Sequence, residues 1–448
     1  MEQRRPRITG ASLAIAALGL AVGAALWTTG PAISEEKWAP AFLRGYAGAW
    51  VCYVLAAVVA ARARRLPRWV LVWIVIGAVG LRLVALARTP PLSTDAYRYL
   101  WDGRMANAGI NPFVYPPDAP ELRSLRDSDW RQISYREVPT IYPPAAQVLF
   151  AGLAMIRAAD IKAFRWTFAL CDVGCVLLLI ALLRRTDRPP ERVIWYAWCP
   201  LPITETTAGA HVDPFALLLF LTAVLLLLRG TGKGALGSGI ALAGAVMTKG
   251  YAVLALPLLA RRGGWRLAAS FVVGCALMLA PYVGAGSRLF GGLRAYIGKW
   301  ETNASIFFVV NALLRRFTED HFDITRTLTM AAVVVAAAVL TWRLESRAES
   351  LLRAAFLALG AQLILGAPTL PWYAIWVVPA LCWWAMPGLA LFTLTVSLQY
   401  YARWLYPGDM AADYALLWAG YVPVYALLIG QSVWWAVSRH RSAPSRTA

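Results

Sequence analysis

The residues best suited to chemistry lie in one polar stretch, STDAYRYLWDGRMANAGINPFVYPP, at residues 93–117. Asp95, Arg98 and Asp102 follow one another there at positions i, i+3 and i+7. A carboxylate that is held against a hydroxyl group removes the hydroxyl proton during a reaction. An acid in this stretch is therefore a candidate general base.

A single helix must position these side chains. Ser93 precedes the helical pattern and Gly109 follows it, which is the sequence pattern of a capped helix. On such a helix, Asp95, Arg98 and Asp102 lie along one face. Each acid also has a structural interpretation, because Asp102 is placed to pair with Arg98 at i+4 and Asp95 is placed to cap the helix.

The composition of the chain indicates a membrane protein. Of its 448 residues, 59% are hydrophobic and only 15% are charged, and the mean hydropathy is +0.56. A surface that faces water needs more polar residues than this. Apolar runs near the roughly 20 residues that cross a bilayer recur along the chain, and the first lacks a small-residue cleavage site. We therefore expect a polytopic protein that retains its first segment as a span.

The net charge of +19 indicates the orientation of the chain in the membrane rather than a nucleic-acid site. The basic residues are concentrated in short loops between apolar runs, and short basic loops mark the cytoplasmic side. No basic domain is interleaved with base-stacking aromatic residues. We expect contacts with anionic membrane lipids at this side, and no nucleic acid as a partner.

The basic loops divide the chain into an all-α bundle of about 13 transmembrane segments. We expect three N-terminal helices in residues 1–88, an outer loop with interfacial helices in residues 89–160, the main bundle in residues 161–437 and a cytoplasmic tail in residues 438–448. A second outer loop is expected near residues 285–324. The expected spans are residues 11–29, 43–61, 69–87, 161–183, 192–207, 212–229, 265–284, 326–343, 350–367, 371–386, 388–405 and 414–436, with a hairpin before residue 261.

Two ionisable residues lie within or at the edge of the membrane, where a charged side chain is energetically unfavourable unless it is paired. Lys249 interrupts an apolar run that has basic loops at both ends, which predicts a hairpin of two short helices that meet near Lys249 on the outer side. Asp95 follows the outward span 69–87. Ionisable groups at such positions are functional candidates, although Lys249 could also snorkel or form a structural salt bridge.

Several stretches of the sequence resemble the GT-C glycosyltransferases, polytopic membrane enzymes that use polyprenyl-phosphate sugars as donors. The resemblance is greatest to their bacterial mannosyltransferase-like branch and extends from about residue 90 to residue 385. The stretches are TDAYRYLWDGRMANAGINPF with TIYPPAAQ, WCPLPITETTAGAHVDPFALLLF, AVMTKGYAVLALP and GAPTLPWYAIWVVPAL. Two features depart from the family pattern. Three spans precede the outer loop, and Asp95 stands without an adjacent acid, which leaves both a metal-free reaction and one with a divalent metal open.

The resemblance implies an inverting transfer of a hexose, with mannose as the expected sugar, from a polyprenyl-phosphate donor to a lipid or glycan acceptor. It implies Asp95 as the general base and a location in a bacterial inner membrane, with the active site on the outer face. The assigned residues are Lys249, His211 and Arg98 for the donor phosphate, and Tyr97, Asp102, Trp300, Asn303, Trp372 and Tyr373 for the substrates. No metal ligand is assigned and no cofactor is certain, with a divalent metal left open; cations on the leaving phosphate can replace a general acid.

Some of these assignments have structural alternatives. His211 follows a span and can be a solvated turn residue, and the tryptophans can belong to the aromatic belt of a membrane protein. Glu205, inside an apolar segment, is interpreted as a hydrogen-bonded structural residue. Among functions, a transporter or flippase of lipid-linked sugars is the main alternative, and a prenyltransferase is a more distant one. The long outer loop with an acid at the membrane edge favours the enzyme over the transporter.

Overall fold

A computed structural model of the chain describes residues 8–30, 35–89, 91–156, 160–400 and 410–441. These residues fold almost entirely as helices, and within them the only β-structure is an isolated bridge between Thr302 and Pro368. The expectation of an all-α polytopic membrane protein is confirmed. The predicted tail lies mostly outside the described residues, since the last helix is described to Arg441.

The described α-helices are numbered here in chain order. They are α1 Gly10–Trp27, α2 Glu35–Arg62, α3 Arg68–Arg88, α4 Asp95–Asn107, α5 Pro144–Ala154, α6 Ile161–Arg185, α7 Ile194–Ala197, α8 Pro200–Thr207, α9 Asp213–Leu227, α10 Gly232–Val246, α11 Leu256–Leu279, α12 Gly291–Lys299, α13 Ile306–Leu314, α14 His321–Trp342, α15 Ala348–Leu365, α16 Pro387–Thr395 and α17 Met410–Arg441. Short 3₁₀ helices occupy residues Pro120–Leu125, Trp130–Gln132, Pro190–Val193, Gly250–Ala255, Ala280–Phe290, Pro371–Trp376 and Val378–Cys382.

Eight helical segments of the described chain are long and apolar enough to cross a membrane. This number is smaller than the expected 13 because several predicted spans are short or broken helices. The eight segments are Gly10–Trp27, Pro40–Arg62, Arg68–Arg88, Ile161–Arg185, Gly250–Gly298, His321–Trp342, Ala348–Leu365 and Asp413–Trp434.

Two predicted spans are not continuous helices. The segment at 192–207 consists of a 3₁₀ turn, α7 and α8, and the break falls at Trp198 and Cys199, just before Pro200. The segment at 371–386 consists of two 3₁₀ helices. In each segment, a proline lies at the start of the last helical element. Proline has no backbone N–H group, so the hydrogen bonds of the preceding helix cannot continue through it. The prediction at 388–405 lies partly outside the described residues.

The N-terminal helices hold the first of these breaks in place. The buried indole of Trp198 lies against Gly19 of α1 and Gly77 of α3, where an added methyl carbon would come within 2.5 and 2.8 Å of the ring. Its Nε1 atom donates a hydrogen bond to the carbonyl oxygen of Ile74 over 2.9 Å. Small residues let membrane helices approach closely. The three N-terminal helices thus support the broken segment that leads to the site.

The predicted hairpin at Lys249 is present. Helix α10 ends at Val246, shortly before Lys249, and the chain returns through residues 250–263 to Gly264, whose φ of 65° breaks α11. At the opposite end of α10, the side chain of Arg266 lies against Gly232, so the two ends of the hairpin meet. At this end of the bundle, Arg188 also forms a salt bridge of 2.7 Å with Glu349. The basic loops therefore gather at one end of the bundle and Lys249 lies at the other.

The two predicted outer loops contain helices and pack on each other. Gly103 of α4 lies against the backbone of α5 so closely that an added methyl carbon would come within 2.3 Å of the carbonyl oxygen of Phe150. Gly292, in the second loop, lies equally close to the carbonyl oxygen of Thr140 in the first. Only glycine permits contacts of this kind. These contacts fix α4, which carries Asp95, against the rest of the molecule.

Candidate active site

Asp95 begins helix α4, as the sequence predicts. The backbone N–H of Asp95 donates a hydrogen bond to Oγ of Ser93 over 3.1 Å, and the helix stops before Gly109, whose φ of 74° suits only a residue without a side chain. The Asp95 side chain is 29% exposed, and that exposed part faces a cavity of about 760 Å³. We call this the Asp95 cavity.

The carboxylate of Asp95 is held by two polar neighbours. The hydroxyl group of Tyr142 donates a hydrogen bond to Oδ2 over 3.3 Å, and Nδ1 of His211 lies 3.5 Å from the same oxygen. Burial raises the pKa of Asp95, but the contacts with His211, Lys249 and Tyr142 outweigh it and hold that pKa below its ordinary value of 3.8. Asp95 is therefore ionised and able to accept a proton.

His211 lies behind Asp95 rather than on the cavity wall. Its side chain is fully buried, and its ring stacks on that of Trp372 with a centroid distance of 3.7 Å and an interplanar angle of 15°. The Nε2 atom lies 3.5 Å from Oε2 of Glu205, which accepts a hydrogen bond of 2.8 Å from Tyr400. Asp95, His211 and Glu205 thus form a chain. No ring nitrogen is exposed and Nδ1 faces Asp95, while the phosphate contact expected for His211 stays a prediction.

Lys249 lies on the wall of the Asp95 cavity, at the tip of the hairpin. Its Nζ atom is 3.3 Å from Oδ2 of Asp213, and it stands over the ring of Tyr373 at 5.0 Å from the centroid. The other Asp213 oxygen accepts a hydrogen bond of 2.9 Å from Nε1 of Trp376. A buried cation is tolerated when it is paired in this way. The Lys249 side chain is still 15% exposed, so it can meet a second anion in the cavity.

Arg98 and Asp102 have separate roles. Arg98 lines the Asp95 cavity and forms a salt bridge of 2.8 Å with Asp102, and its buried Nη2 atom has no hydrogen-bond partner. Asp102 is buried beneath it and also accepts a hydrogen bond of 3.3 Å from Gln147. Asp102 thus positions Arg98, and the substrate contact expected for Asp102 stays a prediction. Arg98 lines the cavity although its Nη2 atom is buried, and the phosphate assignment of Arg98 stays a prediction.

Aromatic side chains form much of the remaining wall of the Asp95 cavity. The members predicted from the sequence are Tyr97, Trp300, Trp372 and Tyr373. Tyr296 joins them, and its hydroxyl group is 2.5 Å from that of Tyr373. Asn303 does not line this cavity. It lines a neighbouring one, and its amide group donates a hydrogen bond of 2.9 Å to the carbonyl oxygen of Thr369.

This arrangement combines three chemical functions in one cavity. An ionised carboxylate can take a proton from a hydroxyl group, an ammonium and a guanidinium group can neutralise a phosphate, and aromatic rings can stack on sugar rings. Among the described residues, no group of three or more histidine, cysteine or acidic side chains is arranged to hold a metal ion.

Comparison with known families identifies the family of the chain. The model of glycosyltransferase family 87 matches residues 140–370, just over half of the chain. The chain belongs to glycosyltransferase family 87. This is a GT-C-type family, so the resemblance found in the sequence is confirmed.

Two further similarities agree with family 87. The model of the MptB C-terminal domain matches residues 301–443 of the chain. Alpha-(1->6)-mannopyranosyltransferase A of Mycobacterium tuberculosis is 24% identical over 323 residues, which are 65% of this chain and 61% of that relative. The chain thus spans less than two thirds of the length of this mannosyltransferase.

Sequence reasoning missed three residues of this family 87 site. Tyr142, in the stretch TIYPPAAQ, received no site role, yet its hydroxyl group contacts Asp95. Asp213 received no role, yet it is the partner of Lys249. Glu205 was assigned a structural role without a partner, and it contacts His211. Only Asp213 had a usable signal, since an intramembrane lysine demands an acid and HVDP supplies one at the start of an apolar helix.

Proposed function

We propose that this family 87 protein transfers a hexose, with mannose as the expected sugar, from a polyprenyl-phosphate donor to a lipid or glycan acceptor. The observation that carries the proposal is that Asp95 and Lys249 lie on the wall of one aromatic-lined cavity. A base and a phosphate-binding cation are the two groups that this transfer requires. The mannosyltransferase relative supports mannose as the sugar.

The reaction is a single displacement. Asp95 accepts the proton of the acceptor hydroxyl group while the oxygen of that hydroxyl group forms a bond to the anomeric carbon. The bond from that carbon to the phosphate oxygen breaks, and the electron pair stays on the phosphate. Attack opposite to the leaving group inverts the anomeric configuration. Asp95 returns its proton to solvent before the next cycle.

Electrostatic stabilisation of the leaving phosphate takes the place of a general acid. The exposed part of Lys249 and the guanidinium group of Arg98, which lines the cavity, are the groups that would receive the phosphate charge. Asp213 and Asp102 hold these cations, so their positions are fixed before the donor binds. The aromatic wall, with Trp300 and Trp372, would stack on the sugar rings.

The proposed site faces the outer side of a bacterial inner membrane. The basic loops that pack together at the opposite end of the bundle support this orientation, because such loops stay in the cytoplasm. The polyprenyl chain of the donor would lie in the surrounding lipid.

The test distinguishes transfer from transport. Purified protein in liposomes is supplied with polyprenyl-phosphate mannose labelled in the sugar, together with α-(1→6)-linked mannose oligosaccharides. The proposal expects the label in a new glycosidic bond of an extended oligosaccharide. Movement of labelled lipid between leaflets without a new glycoside would instead show a flippase, and would overturn the proposal.

A further inference from the structure

A second cavity of about 1110 Å³ adjoins the Asp95 cavity and has no role in the reaction described above. The cavity is lined by residues of segments 301–321 and 392–399 and of the start of α17. Its volume reaches the upper end of the ~300–1,000 Å³ that encloses a drug-sized ligand. A ligand of several linked rings therefore fits inside it.

The two cavities share a boundary. Tyr135, Glu301 and Thr302 line both of them, and the ring of Tyr135 lies 4.5 Å from that of Trp300, on the Asp95 side. Tyr135 has a φ of 53°, in the left-handed region that a bulky residue rarely adopts. Strained residues are retained where their position matters. A chain-like ligand can thus lie in the second cavity and reach into the Asp95 cavity past this boundary.

The polar groups of the second cavity suit hydroxyl groups. Asn311 donates a hydrogen bond of 3.2 Å to Glu301, and its side-chain oxygen lies 2.7 Å from Nδ1 of His321. These carboxylate, amide and imidazole groups supply donors and acceptors side by side, as a hydroxyl group requires. Buried oxygens of Thr395 and Gln399, on the facing wall, have no hydrogen-bond partner. Buried polar atoms normally have hydrogen-bond partners, so a polar ligand is expected beside these two oxygens.

Aromatic rings complete the second cavity. Phe308 and Tyr414 lie with their ring centroids 4.8 Å apart, and Tyr421 lines the same wall. The C–H faces of sugar rings stack on such surfaces while their hydroxyl groups bond to the polar side chains. Rings and amides together are the expected lining of a carbohydrate site.

We propose that the second cavity binds the glycan acceptor, and that the acceptor crosses the boundary at Tyr135 and Glu301 to present its terminal hydroxyl group to Asp95. This inference rests on the proposed function. A single sugar would occupy only the boundary, whereas a longer chain would also fill the second cavity.

Two variants with matched controls test the proposal by kinetics. Ala312 lines the second cavity on the exposed side of α13, and Ala312→Trp would block it; Val309→Trp adds the same ring to the same helix at an exposed position that does not line the cavity. Asn311→Ala removes a polar group, and Asn107→Ala, at an exposed asparagine of α4, is its control. The substrates are polyprenyl-phosphate mannose and α-(1→6)-linked mannose oligosaccharides of increasing length.

Ala312→Trp and Asn311→Ala are expected to raise KM for the longer oligosaccharides by about tenfold, the factor that corresponds to losing one or two hydrogen bonds. KM for the donor and the slow hydrolysis of the donor by water are expected to stay unchanged, as are all constants of the two controls. An unchanged KM for the oligosaccharides, or a raised KM for the donor instead, would overturn the proposal.

Direct binding separates this proposal from the transfer reaction. Calorimetry of the full-length protein in nanodiscs, with the longest oligosaccharide and no donor, is expected to show binding that Ala312→Trp abolishes and Val309→Trp retains. If the wild-type protein binds but transfers nothing, the proposed function fails and the glycan site stands. If no oligosaccharide binds to the wild-type protein, the glycan site is wrong.

Discussion

The Nδ1 atom of His211 lies 3.5 Å from Oδ2 of Asp95, and the His211 ring stacks on Trp372 behind it. This relationship links the outer loop to the membrane bundle, because Asp95 begins α4 and His211 directly precedes α9. Glu205 contacts the other ring nitrogen. The imidazole is thus held on both sides, and it holds the proposed base in turn.

Asn in place of Asp95 removes the base while it keeps the shape of the side chain. We expect Asp95→Asn to lower kcat by about 10²–10⁴-fold, the usual contribution of a general base, with little change in KM for the donor. Transfer of labelled mannose measures both constants. Asp127→Asn, at an exposed acid of the same loop, is the control and should stay active. Wild-type rates in Asp95→Asn would show that another group takes the proton.

The pH profile of transfer reports the contact between Asp95 and His211. Only ionised Asp95 accepts a proton, and its lowered pKa places the acid limb of kcat/KM below the ordinary value of 3.8. Phe in place of His211 keeps the stack on Trp372 but removes the contact that lowers the pKa of Asp95. Burial then dominates, so the pKa rises and the acid limb moves to higher pH.

Measurement of kcat/KM for the wild-type protein and for His211→Phe from about pH 3 to about pH 8 tests this shift, because that range includes the ordinary carboxyl pKa of about 4. Tyr142→Phe should move the limb in the same direction by a smaller amount, because Tyr142 contributes least to lowering the pKa of Asp95. A limb that stays in place in both variants would mean that Asp95 does not control the profile.

Lys249 and Asp213 should be tested together, because each charge compensates the other. Lys249→Met removes the phosphate-binding cation and leaves the buried Asp213 unpaired. We expect KM for the donor to rise by about 10- to 100-fold, the range for a lost hydrogen bond to a charged group. The stability of the protein should fall as well.

The double variant Lys249→Met/Asp213→Asn separates these two effects. It should recover much of the thermal stability and none of the donor affinity. Lys249→Arg should keep part of the affinity, because the charge remains. Recovery of donor binding in the double variant would show that Lys249 serves only to neutralise Asp213.

Gly103 should be intolerant of any side chain. Gly103→Ala places a methyl carbon against the carbonyl oxygen of Phe150, where the backbone cannot move without separating α4 from α5. We expect a loss of about 1–3 kcal/mol of stability, the usual cost of overpacking. Thermal unfolding of the purified protein measures the loss.

Gly152 of α5 provides the matched control. An added methyl carbon at Gly152 meets no atom within 4 Å, and alanine favours a helix over glycine by about 1 kcal/mol. Gly152→Ala should therefore leave the midpoint of thermal unfolding unchanged or raise it. Equal midpoints for the two variants would show that the contact between α4 and α5 does not limit stability.

Local features of the site were predictable from the sequence. The helix at Asp95, its stop at Gly109 and the pairing of Arg98 with Asp102 depend on residues within a few turns of each other. The hairpin at Lys249 followed from basic loops at both ends of one apolar run. Each of these patterns reflects interactions between near neighbours or between the chain and the bilayer, so the sequence carries them without a tertiary structure.

The sequence did not predict that the segments at 192–207 and 371–386 are broken helices, because apolar composition alone does not distinguish a continuous helix from a broken one. Both segments are apolar, yet prolines interrupt their backbone hydrogen bonds. The freed backbone groups are tolerated because the segments are buried inside the bundle, with Trp198 and Trp376 among the largest buried side chains. Burial of this kind is a property of the assembled bundle.

The sequence by itself determined that the chain is a helical membrane protein, which end of each apolar run is basic, and that Asp95 begins a helix. The tertiary structure alone decided that His211 stands behind Asp95, that Asp213 pairs with Lys249, and that Asn303 lines a different cavity from Trp300. The physical reason is distance along the chain. Hydropathy and capping act over a few residues, whereas these contacts arise only when helices that are remote in sequence pack side by side.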